Sequence, residues 1–487
     1  MTTAPRRRGS FAFDALKLMS GSTLAQVITI LAAPILTRLY GPAAFGVLGL
    51  FIAVTRILTQ VSGLRYELAI MLPEKDEEAV NVAGLALSLV LLTSVALIPL
   101  TMFAGKPLAQ LLHTDELIPY LWLIPISVFF AGEALVLNYW HSRQRNFGRL
   151  SITRLAQSTT AVGVQLGAGY AGTPSGGGLI SGTIAGQATA ALALAGIAWH
   201  SQRGLFRQHL RLDAMLAALR RYRKFPRYNV VATLMNSVSW QLPAFFLSYF
   251  YSAAEVGFFA LGNRVIELPM RIIGSSIAQV FFQRAAIANQ EGNLSQVVLT
   301  TFRALVTLSF FPLMLLIFIA PELFEVIFGA RWHEAGVYTQ ILAPWIFFWF
   351  ISSPISTLFS VLEKQEWSFR VNGAIFLSRL VALSLGGYLG SARIMLLFFA
   401  LSGVIIYGAY SILLLKLAQV SYKLVLSTLI QKGWPLIPVG GMLALLKWIQ
   451  FPVLGNLVIA IFALILYFAY QFYTDPSLQT LWKRFSR

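Results

Sequence analysis

Three charged side chains stand inside an otherwise apolar stretch and are well suited to bind a ligand. Arg264, Glu267 and Arg271 are spaced i, i+3 and i+7, which places them on one face of a continuous α-helix. A guanidinium group stays charged at any relevant pH and can donate two parallel hydrogen bonds to a phosphate. Two arginines against one carboxylate leave a net positive charge, so this face predicts a site for an anion.

Polar side chains on other predicted helices follow similar spacings. Arg56 and Gln60 are four residues apart, while Gln26 and Asn236 belong to polar stripes on two further helices. Their amide groups are suited to hydrogen-bond sugar hydroxyls. We expect these stripes to line one central cavity. The predicted substrate-binding residues are Arg56, Gln60, Arg264, Arg271, Asn236 and Gln26.

Structural roles stay open for several of these charges. Glu267 can neutralise either neighbouring arginine within its own helix, and Arg56 lies near enough to a helix end to snorkel. Glu133, the other acid inside a predicted helix, either closes an ion pair or, like Glu267, titrates as a coupling group. Arg379 has no acidic partner nearby in sequence, so we expect it to snorkel or to bond backbone carbonyls.

Sequence patterns of covalent catalysis are missing. The chain has no cysteine, which excludes disulfides, thiolate metal sites and cysteine nucleophiles. It contains no Gly-x-Ser-x-Gly, His-Glu-x-x-His, Asp-x-Asp or P-loop pattern, and its five histidines lie at span ends or in loops. We therefore expect no enzyme activity, no cofactor, no metal site and no ATP hydrolysis.

The elements that position these residues are membrane-spanning helices, as the composition indicates. Of the 487 residues, 57% are hydrophobic and only 11% are charged, whereas a soluble domain carries roughly 25% charged residues. This excludes a soluble enzyme, a disordered protein and a fibrous repeat. The net charge of +18 is typical of basic cytoplasmic loops in a membrane protein, so we expect no nucleic-acid partner.

Fourteen stretches are predicted to cross a bilayer, since a span needs about 20 mainly apolar residues. The turn-forming segment 173–178 (Thr-Pro-Ser-Gly-Gly-Gly) separates the fifth span from the sixth. An even number of spans puts both termini on one side. Most of the 37 basic residues face the cytoplasm if both termini do, so the positive-inside rule selects that orientation.

An internal repeat at an offset of 211 residues relates two parts of the chain. Segment 40–46 (Tyr-Gly-Pro-Ala-Ala-Phe-Gly) matches 251–257 (Tyr-Ser-Ala-Ala-Glu-Val-Gly) at its tyrosine, one alanine and its last glycine. Chance matching is the alternative, because Ala and Gly are common here. We expect an all-α fold with two six-helix lobes, 1–200 and 228–417, related by a pseudo-two-fold axis along the membrane normal. Two extra helices and a cytoplasmic tail follow in 418–487.

A basic linker, residues 201–227, joins the predicted lobes. It carries eight basic residues against the single acid Asp213, and its leucines form a partly helical apolar face. One interpretation is an amphipathic segment that lies on anionic headgroups. The other is a docking site for a cytoplasmic partner or an acidic substrate.

Two motifs resemble those of the Wzx-type flippases of polysaccharides and lipid-linked oligosaccharides, which share a superfamily with multidrug and toxin extrusion transporters. One is the end of the first span, 33–46 (Ala-Pro-Ile-Leu-Thr-Arg-Leu-Tyr-Gly-Pro-Ala-Ala-Phe-Gly). The other is the first cytoplasmic loop, 65–79 (Arg-Tyr-Glu-Leu-Ala-Ile-Met-Leu-Pro-Glu-Lys-Asp-Glu-Glu-Ala). The span count and the repeat extend the resemblance over nearly the whole chain, but these motifs do not identify the glycan.

The resemblance implies a bacterial inner-membrane protein that moves an undecaprenyl-pyrophosphate-linked oligosaccharide to the outer leaflet by alternating access, for O-antigen, capsule or exopolysaccharide biosynthesis. It also implies membrane lipids, glycan polymerase and glycosyltransferases as partners. One rival is a multidrug or cation antiporter of the same superfamily, which would need buried carboxylates. Another is a membrane glycan polymerase or ligase, which would need a large extramembrane loop and catalytic acids.

Overall fold

Apolar stretches of this length fold into helices because the hydrocarbon of a bilayer offers no partner to a backbone N–H or C=O. The computed structural model describes residues 11–474 except positions 112, 114, 173 and 269, and it describes their side chains apart from those of 11–20, 108, 271 and 272. Helices account for most of this described chain, which contains no strand. The predicted all-α class is confirmed.

The chain divides into two compact units, Met1–Gly257 and Phe258–Arg487. The first unit contains α1 (Phe11–Leu39), α2 (Pro42–Ser62), α3 (Asp76–Leu111), α4 (Leu123–Arg143), α5 (Phe147–Tyr170), α6 (Gly176–His209), α7 (Leu212–Arg221) and α8 (Val230–Phe250). Helix α9 (Ala253–Ile266) begins in the first unit and continues into the second. The second unit then contains α10 (Ser275–Glu291), α11 (Leu294–Phe328), α12 (His333–Ile355), α13 (Leu358–Val361), α14 (Gln365–Tyr388), α15 (Ala392–Leu417), α16 (Tyr422–Gly433), α17 (Leu436–Trp448) and α18 (Val453–Thr474). The predicted lobe boundaries at 201–227 stay a prediction.

Each of the fourteen predicted spans corresponds to a helix or to a short run of helices. Twelve helical segments of the described chain are long and apolar enough to cross a membrane. The two other spans are α5 and the segment from α9 to α10, and both carry charged residues within their length. The predicted turn between the fifth and sixth spans is confirmed, because α5 ends at Tyr170 and α6 begins at Gly176.

The eighth span is not the continuous helix that the sequence predicted. Helix α9 ends at Ile266, a π-helical turn covers Met270–Gly274, and α10 starts at Ser275. The sequence carries a proline at position 269, and proline has no N–H for the helical ladder. The three charged residues of this span are therefore not spaced along one uninterrupted α-helix, and that prediction was wrong.

Residues around Phe311 attach the last two helices to the second unit. The rings of Phe311 on α11 and Tyr467 on α18 stack with their centroids 4.4 Å apart. The Tyr467 hydroxyl donates to the Thr307 carbonyl at 3.2 Å. Lys432 and Gln471, both buried, join α16 to α18 through a hydrogen bond of 2.6 Å from Nζ to Oε1. The added helices are thus packed parts of this unit.

The two copies of the repeated turn contact each other inside the first unit. A Cβ at Gly46 would overlap the carbonyl of Ala253, and a Cβ at Gly257 would overlap the carbonyl of Pro42. In the repeat with an offset of 211 residues, Gly46 is equivalent to Gly257 and Pro42 is equivalent to Ala253. The contact is therefore reciprocal, as expected where two copies of one element meet around a local two-fold axis. Glycine is required because the backbones touch.

We predict that alanine at Gly46 or Gly257 destabilises the protein, because the added methyl group has to displace main chain rather than a flexible side chain. Overpacking of this kind costs about 1–3 kcal/mol or more. Thermal unfolding of the purified protein, followed by size-exclusion chromatography, measures the effect. Gly163→Ala is the matched control, since nothing lies within 4 Å of a Cβ at that helical position. An unfolding temperature as high for Gly46→Ala as for the control would contradict the proposed role of the contact.

Candidate functional site

A buried polar cluster, formed by Asn263, Glu267, Arg379 and Tyr407, lies in the second unit. Arg379 is only 3% exposed and Glu267 only 8% exposed. The Asn263 amide donates to Glu267 Oε1 at 2.7 Å, and Arg379 Nη2 donates to the Tyr407 hydroxyl at 3.1 Å. The charge of Glu267 acts on Arg379. We call these four residues the Arg379 cluster.

Local sequence explains how three helices supply the Arg379 cluster. Glu267 directly follows the last residue of α9, and Asn263 stands one helical turn before it. Arg379 lies in the middle of α14, and Tyr407 lies on α15. The guanidinium carbon of Arg379 is 5.6 Å from the centre of the Trp345 ring, a cation–π distance.

The burial of Arg379 corrects one expectation. We expected this side chain to snorkel or to bond backbone carbonyls, and its burial among aromatic rings beside the Tyr407 hydroxyl rules out the first of these roles. A charge in a low-dielectric interior persists only when it is paired and hydrogen-bonded. Arg379 is therefore held within the fold by the Tyr407 hydroxyl and by aromatic rings, and the charge of Glu267 favours its ionised form.

A second charged cluster closes the turn after α2 in the first unit. Arg65 Nη1 lies 3.0 Å from Glu67 Oε1 and donates to Gln60 Oε1 at 3.2 Å. Leu64 and Arg65 both have positive φ, 48° and 64°, so the chain turns sharply here. Gln60, a predicted ligand of the substrate, thus already supports this turn.

Burial raises the pKa of the Glu67 carboxyl, while a backbone hydrogen bond and the Arg65 charge oppose that rise. Further bonds fix the same loop. The Tyr66 hydroxyl donates to the Leu219 carbonyl at 2.9 Å, and Arg143 pairs with Asp76 at 2.9 Å. The loop that carries the second resemblance motif is therefore a rigid part of the first unit.

Polar residues of α1 meet α5. Arg154 donates to the Ser22 hydroxyl, one helical turn before Gln26. Gln26 Oε1 is buried and has no hydrogen-bond partner within the described part of the chain. Buried acceptors are nearly always bonded, so this oxygen is a candidate acceptor for a ligand hydroxyl.

The other predicted residues differ in burial and position. Arg56 on α2 and Asn236 on α8 are both exposed. With a helical rise of 1.5 Å per residue, each lies roughly 20 Å along its helix from the repeated turn, 40–46 or 251–257, at the end of that helix. Arg264 is exposed on α9, and Glu133 is half-buried on α4. The side chain of Arg271 lies outside the described side chains. The structure thus brings Glu267 to Arg379 and Gln60 to Arg65, while Arg56, Asn236 and Arg264 keep exposed positions.

An apolar cleft of about 230 Å³ opens in the second unit between α9, α11 and α18. Val265 and Ile266 line one side, Leu316 lines another, and Ile461 and Leu464 line the third. All of its lining residues are apolar except Ser309. A hydrocarbon chain suits such a surface, and the lining residues Val265 and Ile266 lie in sequence between Arg264 and Glu267.

Sequence reasoning missed several residues of these clusters. Asn263 stands four residues before Glu267, a spacing that was available as a signal. Arg154 stands seven residues after the first residue of α5, so its contact with α1 could not be read from the charge-free stretch that follows it. No sequence pattern pointed to Tyr407, because its partner Arg379 is 28 residues away on another helix. No group of three or more His, Asp or Glu residues that could hold a metal occurs in the part of the chain that the structure describes.

A family model described as "Polysaccharide biosynthesis protein" matches residues 35–337, more than half of the chain. The chain belongs to this family. The match includes the repeated turns, the first loop and the segment from Arg264 to Arg271. A comparison with curated proteins finds no match.

Solved structures of flippases and transporters share this fold. The lipid II flippase MurJ in an inward closed conformation aligns with a TM-score of 0.71 at 14% identity, over 95% of this chain and 99% of its own. An inward-facing multidrug resistance MATE transporter of the MOP superfamily aligns with 0.64 at 15% identity, over 82% and 94%. A MOP superfamily transporter from Pyrococcus furiosus, described as having a binding pocket of reverse polarity, aligns with 0.54 at 16% identity, over 85% and 98%.

These comparisons confirm the resemblance that the two motifs predicted. The family is a polysaccharide biosynthesis family, and the fold is that of MOP superfamily flippases and transporters. Together with the long apolar helices they support a multi-pass membrane protein of a polysaccharide biosynthesis family. At identities near 15% the aligned structures show the fold alone, so they do not choose between a flippase and a drug transporter.

We predict that the Arg379 cluster is an energetically coupled pair. Glu267→Gln or Arg379→Gln alone should lower the unfolding temperature and the abundance, because each strands a buried charge, at a cost of about 3–5 kcal/mol. The double variant should recover a large part of the loss. The coupling energy from a double-mutant cycle measures this. Arg370→Gln, on the exposed side of the same helix α14, is the control and should have little effect. Additive losses in the double variant would refute the coupling.

Proposed function

We propose that this protein is a flippase that moves a polyprenyl-pyrophosphate-linked oligosaccharide from the cytoplasmic to the outer leaflet by alternating access. The step would serve the biosynthesis of a surface polysaccharide such as O-antigen, capsule or exopolysaccharide. The chain belongs to a polysaccharide biosynthesis family, and the exposed charges of its spans that carry the proposal are positive. Arg56 and Arg264 are exposed within spans, whereas the acid Glu267 is buried and its charge acts on Arg379. Glycosyltransferases and a glycan polymerase would act before and after it.

The arginines of the eighth span are the proposed ligands of the diphosphate. A diphosphate that enters the membrane loses hydration, and guanidinium groups replace it with charge-assisted, bidentate hydrogen bonds. Arg264 is exposed although it lies in a span, and charged residues at such depth face a cavity or a partner rather than lipid. Arg271 follows the break after α9. Arg56 on α2 is proposed as a further cation that binds substrate.

Amide side chains of the first unit are the proposed ligands of the sugars. Asn236 is exposed, and Gln26 has an unbonded buried oxygen that a sugar hydroxyl can satisfy. Gln60 would have to give up its bond with Arg65 to take part. Of these three amides, Gln26 and Asn236 are therefore the better candidates.

The apolar cleft beside α18 is the proposed resting place of part of the polyprenyl tail. Its lining is almost free of polar groups, and its α9 wall directly follows Arg264. A tail in the cleft would leave the diphosphate close to that guanidinium. Apolar contact over such a surface stabilises a bound chain by roughly 25 cal/mol for each Å² removed from water.

Coupling to an ion gradient is proposed to use Glu133 rather than Glu267. Both are acids inside spans, but Glu267 is bonded to Asn263 and interacts with Arg379. Glu133 is half-buried on α4 and does not belong to either charged cluster. A carboxyl that is not needed for an internal ion pair can change its protonation without loss of the fold.

The proposed membrane is the bacterial inner membrane, with both termini in the cytoplasm. The chain has no cysteine, so single cysteines can be placed at Ser175, Gln208 and Ser477 and labelled on whole cells with an impermeant thiol reagent. Ser175 and Gln208 are exposed, while Ser477 lies outside the described residues. We predict labelling at position 175 alone, and permeabilised cells should label all three. Labelling at 208 in intact cells would reverse the orientation.

We predict that Arg264→Ala or Arg271→Ala strongly reduces glycan export while the protein stays at normal abundance. Lysine at either position keeps the positive charge but cannot form the bidentate hydrogen bonds of a guanidinium group, so it should retain partial function. Export to the cell surface and immunoblots of the membrane fraction are the two measurements. The control is Arg370→Ala, which removes an exposed arginine outside the proposed site. Full export by both alanine variants would rule out Arg264 and Arg271 as ligands of the diphosphate.

A further inference from the structure

The basic linker is a folded, fixed element of the first unit. Asn81 on α3 donates to the His209 carbonyl and accepts from the Arg211 N–H, both at 2.9 Å. The Leu219 carbonyl accepts from the Tyr66 hydroxyl, and Arg221 lies 3.4 Å from Glu78. These bonds hold both ends of α7 against one end of α3.

The apolar side of α7 is only half covered. Ala218 is buried in a cluster with the residues at the start of α3, and Met215 and Leu219 pack against that cluster. Leu212 and Leu216 point elsewhere and are 69% and 48% exposed. Arg220 continues their row at the next i+4 position and is exposed as well. One flank of α7 thus shows two leucines followed by an arginine.

The bonds to Asn81 set the depth of α7. The charge-free stretch of α3 begins at Ala79, so Asn81 lies at the edge of the apolar part of that helix. Trp199, near the end of α6, is 52% exposed, and the Arg207 guanidinium lies 5.3 Å from the centre of its ring. Tryptophan is typical of the headgroup level of a membrane. Both markers place α7 at the boundary between hydrocarbon and water.

We propose that the exposed flank of α7, with Leu212, Leu216 and Arg220, binds the anionic phospholipid headgroups of the adjacent leaflet. Leucines at this depth reach the upper acyl chains, while arginines extend to the phosphates. The charge complements an anionic surface, since the linker carries eight basic residues and one acid. Basic protein partners are disfavoured by charge, and a strictly soluble partner would not need α7 at this depth. The inference requires neither the proposed substrate nor the direction of its transport.

An environment-sensitive fluorophore on a single cysteine tests this surface in the full chain. Leu216→Cys places the label on the proposed flank, and Ala217→Cys places it at an exposed position about 100° further around the helix as a matched control. The purified proteins are compared in nanodiscs of pure phosphatidylcholine and of mixed phosphatidylglycerol and phosphatidylcholine. A lipid with a nitroxide near the headgroup end of its acyl chain serves as the quencher.

The label at position 216 should be quenched, more strongly when phosphatidylglycerol is present, while the label at position 217 should stay in water. In the Leu216→Cys background, Arg220→Gln should raise the phosphatidylglycerol fraction needed for half-maximal quenching about fivefold, and Arg220→Lys should preserve it. If Leu216→Cys fails to yield folded protein by size exclusion, Leu212→Cys takes its place. An aqueous, unquenched label at both leucine positions would overturn the proposal and leave the flank to a protein partner. Quenching that does not depend on phosphatidylglycerol would overturn the anionic selectivity. Neither result affects the glycan export assay.

Discussion

The cost of holding a charge away from water is the constraint on which this structure depends. An ionised side chain in a low-dielectric interior must be paired, hydrogen-bonded or given access to water. Arg379 satisfies this rule with Tyr407, Glu267 and aromatic rings, and Arg65 satisfies it with Glu67 and Gln60. Arg264 and Arg56 are exposed. The charges of the spans therefore differ in burial: Arg379 is enclosed within the fold, whereas Arg264 and Arg56 are accessible from outside it.

The eighth span is interrupted between its charged residues. Glu267 still belongs to the helical ladder, since its N–H donates to the Asn263 carbonyl at 3.0 Å, and the π-helical turn follows it. π-Helical turns inside longer helices are frequent at functional sites because they rotate the following residues relative to the preceding ones. The turn Met270–Gly274 stands between Arg264 and α10, so the two proposed phosphate ligands belong to different helical segments.

The sequence was sufficient for those features that depend on local composition. Span number, the turn at 173–178 and the all-helical class follow from apolar length and from turn-forming residues, because backbone pairing in a bilayer leaves no other choice. The repeated turn was visible as three identities, but the contact between its copies was not, since a glycine against a carbonyl has no sequence signature. The electrostatic interaction of Glu267 with Arg379 was missed because 112 residues separate the two in sequence. The break after α9 could have been recognised from the proline at position 269, but the charge spacing suggested a continuous helix.

The fold alone does not determine what is transported, because one architecture can carry unrelated sites. A lipid II flippase and multidrug transporters share it with this chain. What differs among such proteins must lie in exposed polar residues that the packing does not need. In this chain Gln60, Glu67, Glu267 and Arg379 serve the packing. Arg56 and Arg264 are exposed, and Gln26 Oε1 has no hydrogen-bond partner within the described part of the chain. The glycan diphosphate proposed as the substrate would bring negative charge to the arginines and a hydroxyl donor to that oxygen.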